Sequence, residues 1–206
     1  MPTSVMWFRR DLRLADNPAL HEAVAAGPDG VVPLFVLDMN LVDPAGARRR
    51  AHLTSSLRDL SERVGGLHVV HGDPVDEVVA VARRAGAGTV HVSADHTPYG
   101  TVRDAKVEKA LAEHGIALER TGSYYAISPG RVTKGDGTSF KVFTPFYRVW
   151  LEHGWHHPAP PGTSGAGGAM DLPRRTDPSD PGCHRRRRSP HSRRGGSPEP
   201  LARVPG

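Results

Sequence analysis

Over the first 125 or so residues, short apolar runs alternate with longer stretches in which apolar residues recur every three or four positions. Residues 4–9 (SVMWFR) form a short run that predicts a strand, followed by a polar loop. Asp16-Asn17-Pro18 then supplies an Asx cap and a first-turn proline for a helix that places Leu20, Ala23 and Val24 on one face. Val31–Leu37 (VVPLFVL) is apolar throughout, as a strand covered on both faces should be. Leu53, Leu57, Leu60 and Val64 follow at helical spacing, and Gly65-Gly66 ends that helix. Residues 67–71 predict a third strand, and Asp73-Pro74 opens a helix with Val75, Val78, Val79 and Ala82 inward. Residues 89–94 (TVHVSA) predict a fourth strand. Thr101 and Asp104 stand as a capping box before Val107, Ala110 and Leu111, and residues 116–119 predict a short fifth strand.

Strands alternating with helices imply a five-stranded, parallel, doubly wound (Rossmann-like) α/β sheet with helices on both faces. Ligands of such sheets sit beyond the carboxyl ends of the strands, where strand order reverses. Those ends carry residues 9–13, 38–40, 71–73 and 95–100, so a site is expected there.

Composition divides the chain. Hydrophobic residues make up 37% of it, below the share of a compact domain. Residues 158–206 hold ten Pro and eight Gly in 49 positions and show no helical or strand period, which predicts a disordered, Pro/Gly/Arg-rich tail. Residues 171–206 carry nine Arg against four acidic residues, so the whole formal charge of +5 lies there and the remainder is balanced. That segment lacks Lys, Ile, Phe, Tyr, Asn, Trp and Gln, which suggests out-of-frame translation of a G/C-rich gene. The expected organisation is a domain over 1–130, a connector over 131–157 and the tail over 158–206. A single cysteine, Cys183, fits a reducing compartment. The charged N-terminus and the lack of a long apolar run predict a cytoplasmic protein with no membrane association.

General nucleotide and metal motifs are missing. There is no GxxxxGK[ST] loop, Gly86-Ala87-Gly88 precedes a strand instead of following one, and the twelve His show no HExxH spacing. No metal site is expected, and His91 reads as a core histidine. The segment from Trp7 to Leu20 (WFRRDLRLADNPAL) is different: a strand delivers three Arg and two Asp to the sheet's carboxyl edge. Guanidinium forks held there by carboxylates suit an acidic or carbonyl-rich ligand, and they suit equally a structural salt-bridge cluster.

WFRRDLRLADNPAL closely resembles the opening signature of the photolyase/cryptochrome family. Pro98-Tyr99-Gly100-x-x-Arg103-Asp104-x-x-Val107-Glu108-x-Ala110-Leu111 looks like the loop and helix after that family's fourth strand. Lys141-Val142-Phe143-Thr144-Pro145-Phe146-x-x-x-Trp150 is similar to the stretch leading out of its α/β domain. The resemblance implies a domain that holds an antenna chromophore and passes excitation to FAD in a helical domain, where pyrimidine dimers in DNA are repaired. Folate-type members carry an Asn-Glu pair where this chain has Tyr99-Gly100, so a deazaflavin is expected in preference to a folate. Arg10, Asp11, Leu37, Asp38, Arg50, Asp95 and Tyr99 are the expected pigment contacts: Arg10 and Arg50 as donors, the carboxylates as acceptors, and Tyr99 as a stacking or wall residue. Core packing competes with contact for Leu37, and a solvated helix face competes for residues 48–50.

The family's FAD site would lie in a part this chain lacks, so no residue is assigned a catalytic role. Phe143, Phe146 and Trp150 are expected to pack against that missing domain and to be exposed without it. DNA would be met only through the missing domain, or weakly through the run of four arginines at 185–188. The competing class is a stand-alone α/β ligand-binding module with an Arg-rich, nucleic-acid-binding tail.

Overall fold

The computed structural model describes residues 3–155 and 157–159. Five parallel strands, β1 (Thr3–Phe8), β2 (Val31–Leu37), β3 (His68–His71), β4 (Ala87–Ala94) and β5 (Ala117–Ser123), lie in the order β3-β2-β1-β4-β5. Helices α1 (Pro18–Ala26), α2 (Met39–Val42), α3 (Ala47–Arg63), α4 (Pro74–Arg84) and α5 (Pro98–Ala112) fill the crossovers, and α6 (Phe143–His153) follows β5. The order reverses between β1 and β4, the two central neighbours. The doubly wound α/β architecture expected from the alternating pattern is therefore the observed one.

The period of two along β1 divides the core. Val5 and Trp7 point into a cluster with Val78 and Val81 of α4 and Val107 and Leu111 of α5. Met6 and Phe8 point the other way, onto Ala19, Leu20 and Ala23 of α1 and Leu57 and Leu60 of α3. All seven residues of β2 are buried, and each large side chain removed from water stabilises the fold by roughly 1.5–3 kcal/mol. Pro33 is tolerated in this central strand because the ladder to β3 begins only at Leu34.

Three of the crossover helices start the same way, with a short polar cap followed by proline. Asn17 accepts from the Leu20 amide at 3.1 Å, Asp73 from Val75 at 2.8 Å and Thr97 from Gly100 at 3.1 Å. The last corrects the expected capping box. α5 begins at Pro98 under Thr97, Thr101 lies inside the helix with its hydroxyl donating back to the Thr97 carbonyl at 3.1 Å, and Asp104 is buried in an ion cluster instead of reaching back to a cap. Proline suits the first helical position, its missing N–H being one the first turn leaves unbonded anyway, so the helix starts about one turn before the expected box. β5 is longer than the four residues expected, because the ladder with β4 continues to Ala94↔Ser123.

Two further elements carried no clear period. α2 is a single turn capped by Asp38. α6 has no buried residue: Phe143 is 71% exposed and Phe146 and Trp150 are half-buried, in line with an apolar face that lacks a cover. The chain beyond α6 returns to the β1–α1 loop, where the Ala159 amide donates to Asp16 at 2.8 Å. Except for Pro158 and Ala159, the expected tail lies outside the described residues. Among the described residues no helix is long and apolar enough to cross a membrane.

His91 is buried on β4, its Nε2 3.0 Å from the Thr89 hydroxyl. Burial holds its pKa below the ordinary value of 6.5, against the opposing charges of Glu119 and Glu22, and burial with Arg84 does the same to His68. A histidine whose pKa is depressed in the fold leaves stability intact above the unfolded value and drains it as pH falls below. Urea midpoints should therefore drop between pH 7.5 and pH 5.5, and His91→Gln should make that drop smaller; an unchanged pH dependence in the variant would contradict the assignment.

Candidate functional site

β1 ends at Phe8 and β4 at Ala94, so the loops that follow them meet at the reversal point. Arg9, the first residue past β1, donates to Asp104 of α5 and to the Ser93 carbonyl on β4. Arg103 donates to the same Asp104 carboxylate from Nε at 3.0 Å and from Nη2 at 2.9 Å, and to Asp95 at 3.2 Å. Both guanidiniums lie over the Trp7 indole, 4.8 Å and 5.3 Å from its centroid. Arg103, Asp104, Asp95 and Trp7 are all buried, so this is a desolvated cluster of two arginines and two aspartates whose charges balance. Burial lowers the pKa of Arg9 while Asp104 resists that shift. Burial pushes Asp95 upward, but hydrogen bonds from Thr97 and the charges of Arg103 and Arg10 outweigh it and hold the carboxyl below its ordinary value.

Two spaces open beside this cluster. Between β1 and β4, Arg10, Asp11, Asp95 and Tyr124 surround a cleft of about 10 Å³. That leaves room for about one water molecule. The half-exposed Arg10 guanidinium sits 3.5 Å from Asp95 and 6.0 Å from the Tyr124 ring centroid, and closes the cleft from outside. Asp11, the other acid of the cleft, is paired with Arg13 at 3.1 Å, and burial raises its pKa against that pairing.

The second space, on the other side of β1, is about 160 Å³. It has room for on the order of ten waters, enough for a planar ring system. Phe35 and Leu37 from β2, Leu41 from α2 and Leu53 from α3 give it apolar walls, with Arg49 and Arg50 and the buried Asp38 supplying its polar groups. An apolar cavity with a few convergent polar groups is the form of a small-molecule site.

The expected contacts thus fall into two groups. Leu37, Asp38 and Arg50 line the larger pocket; Arg10, Asp11 and Asp95 surround the narrow cleft. Tyr99 is in neither lining. Its hydroxyl donates to Asp38, and its ring lies 5.7 Å from the Arg103 guanidinium, so it stands between the two groups. Burial, then the bond to Asp38, raises its pKa, and the phenol stays neutral at any physiological pH. Leu41, Leu53, Arg49, Arg103 and Tyr124 were not among the expected residues. Arg49 stood beside Arg50 in the arginine triplet, and Leu53 stood in the α3 period as a core residue; Leu41 gave no signal, because one turn of helix carries no period.

Gly100 is required by this packing. A Cβ there would sit 2.2 Å from the Asp95 carboxyl carbon, so the Tyr-Gly pair is set by the approach of α5 to that carboxylate. Gly100→Ala should destabilise the fold by about 1–3 kcal/mol through overpacking. Asp104→Ala, which strands two buried guanidiniums, should cost about 3–5 kcal/mol. Denaturant unfolding of both variants checks this, and an Asp104→Ala protein within about 1 kcal/mol of the parent would show the cluster to be dispensable.

Comparison with known proteins agrees with this geometry. The family described as DNA photolyase matches residues 4–163. A deoxyribodipyrimidine photo-lyase of Thermus thermophilus is 37% identical over 182 residues, which is 86% of this chain and 40% of that protein. The chain therefore spans about two-fifths of this curated relative. Among solved structures, a class III photolyase from Agrobacterium tumefaciens superposes with a TM-score of 0.68 at 29% identity, over 78% of this chain and 34% of that one. An archaeal photolyase from Sulfolobus tokodaii, determined with two FAD molecules, gives 0.67 at 26% identity, over 76% and 36%. With the family match spanning residues 4–163, well over half of its length, this chain belongs to the DNA photolyase family.

Proposed function

We propose that this chain is the antenna-chromophore domain of a deoxyribodipyrimidine photolyase-like protein, and that it seats a planar pigment in the pocket between β2, α2 and α3. The observation that carries this is the 160 Å³ cavity itself, with its apolar walls, arginine rim and single buried carboxylate, at the carboxyl end of β2, one strand from the reversal of strand order. Phe35, Leu37, Leu41 and Leu53 would exclude water from the ring faces. Arg49 and Arg50 would meet its electron-rich or anionic edge, and Asp38 would accept from a ring or side-chain donor. A deazaflavin suits this set better than a folate, since the loop after β4 reads Tyr99-Gly100 in place of an Asn-Glu pair.

A bound pigment supplies absorption in the near-ultraviolet to blue. The protein's part is to hold the ring dry and in a fixed orientation, so that excitation can pass to FAD in a neighbouring helical domain where DNA repair would occur. None of the described residues is assigned to FAD, to DNA or to the electron-transfer chemistry, so the carbon–carbon lyase activity of photolyases is proposed for the pair of domains and not for this one alone. The exposed Phe143 and Tyr147 on α6 fit the surface against which such a domain would pack.

Titration with 8-hydroxy-5-deazariboflavin and, separately, with methenyltetrahydrofolate tests the proposal. The deazaflavin should bind more tightly and show a shifted absorption band, and Arg50→Ala should weaken it about three- to tenfold, the loss of one partly exposed charged contact. Tighter binding of the folate would overturn the choice of pigment. A protein that takes up neither would overturn the antenna role.

A further inference from the structure

We propose that Tyr99 is a positioning residue for this pocket: through its hydroxyl it holds α2, the single turn of helix that forms one wall of the pocket. The proposal rests on the pocket between β2, α2 and α3 being the pigment site. α2 is too short to be stable alone, since a helical nucleus is unfavourable until several turns have formed. It has no buried residue of its own, and Leu41 is 48% exposed although it lines the cavity. Val42 alone gives it an apolar foothold, packing partly buried against the core, so the N-terminal part of this turn is held by polar contacts. Asp38 caps it, one carboxylate oxygen accepting from the Asn40 amide at 3.1 Å. The other oxygen accepts from the Tyr99 hydroxyl. Tyr99 thus grips the cap of α2 from the first turn of α5, across 61 residues of sequence.

The far end of Tyr99 is anchored as firmly. It follows Pro98 at the start of α5, next to the Gly100 that packs on Asp95, and its ring lies against the Arg103 guanidinium. Arg103 is itself bound to Asp95 and Asp104. Tyr99 therefore transmits the rigidity of the buried ion cluster to a wall that would otherwise move. A pigment held by Leu41 and Val42 would leave whenever that wall opened, so the residence of the ligand, more than its arrival, depends on this phenol.

The test compares the full chain with its Tyr99→Phe variant, which keeps the ring and loses only the hydroxyl. Two measurements separate this proposal from the pigment assignment. Amide hydrogen exchange of the ligand-free proteins should show residues 40–43 exchanging about tenfold faster in the variant, with the amides of β1 and β4 unchanged. With 8-hydroxy-5-deazariboflavin as probe, koff should rise about tenfold with kon little altered, and the fluorescence anisotropy of the bound pigment should fall. Unchanged exchange at residues 40–43 in Tyr99→Phe overturns the proposal whether or not pigment binds. Faster exchange in a protein that binds no pigment supports the latch and removes the pigment assignment instead.

Discussion

The structure depends on one desolvated contact, the Asp104 carboxylate held between the guanidiniums of Arg9 and Arg103. Arg9 leaves the tip of β1, Asp104 and Arg103 leave the second turn of α5, and Arg9 also reaches the Ser93 carbonyl on β4. The three elements that border the reversal of strand order are thereby tied at one point. A buried ion pair of this kind contributes little net stability against an apolar alternative, because the cost of removing the charges from water offsets most of their attraction. What it supplies is position: guanidinium forks accept few geometries, and the Trp7 indole beneath them fixes their plane.

From that point the arrangement of the site follows outward. Arg103 holds Asp95, Asp95 leaves room for nothing larger than Gly100, and Gly100 places Tyr99 opposite Asp38. The narrow cleft between β1 and β4 is nearly filled by this network and by Arg10, with room left for about one water. The space available to a ligand lies one strand over, where β2 ends under α2 and α3. The two interpretations left open for the arginine-rich loop, ligand contact and structural salt bridge, therefore divide between residues: Arg9 is structural, while Arg10 stays at the rim, half-exposed.

Much of the fold was legible from the chain because its cues are local and repeated. The all-apolar VVPLFVL run marked a strand covered on both faces, and Asn17-Pro18 and Asp73-Pro74 marked helix starts. The start of α5 was misplaced because Thr101 and Asp104 imitate a cap; only the partners of Asp104, 95 residues away and next door in sequence, explain why that acid is there. Of the site, the polar residues at strand tips could be found from topology, since ligands gather where the order reverses. Of the pocket's apolar walls Leu37 was found the same way, but the helical ones were not: Leu41 sits in a turn too short for a period, and Leu53 is indistinguishable in sequence from the core residues Leu57 and Leu60 of the same helix. The role of Tyr99 could not be read either, because a contact between the starts of α2 and α5 exists only after the sheet is assembled.

The position of a bound pigment is the most direct test of this arrangement. A crystal structure of the chain with 8-hydroxy-5-deazariboflavin should show the ring between Phe35, Leu37, Leu41 and Leu53, with Arg49 and Arg50 at its edge and the Arg9–Asp104–Arg103 cluster unmoved. A ring seated in the cleft of Arg10, Asp95 and Tyr124, with that cluster pulled apart to admit it, would contradict it.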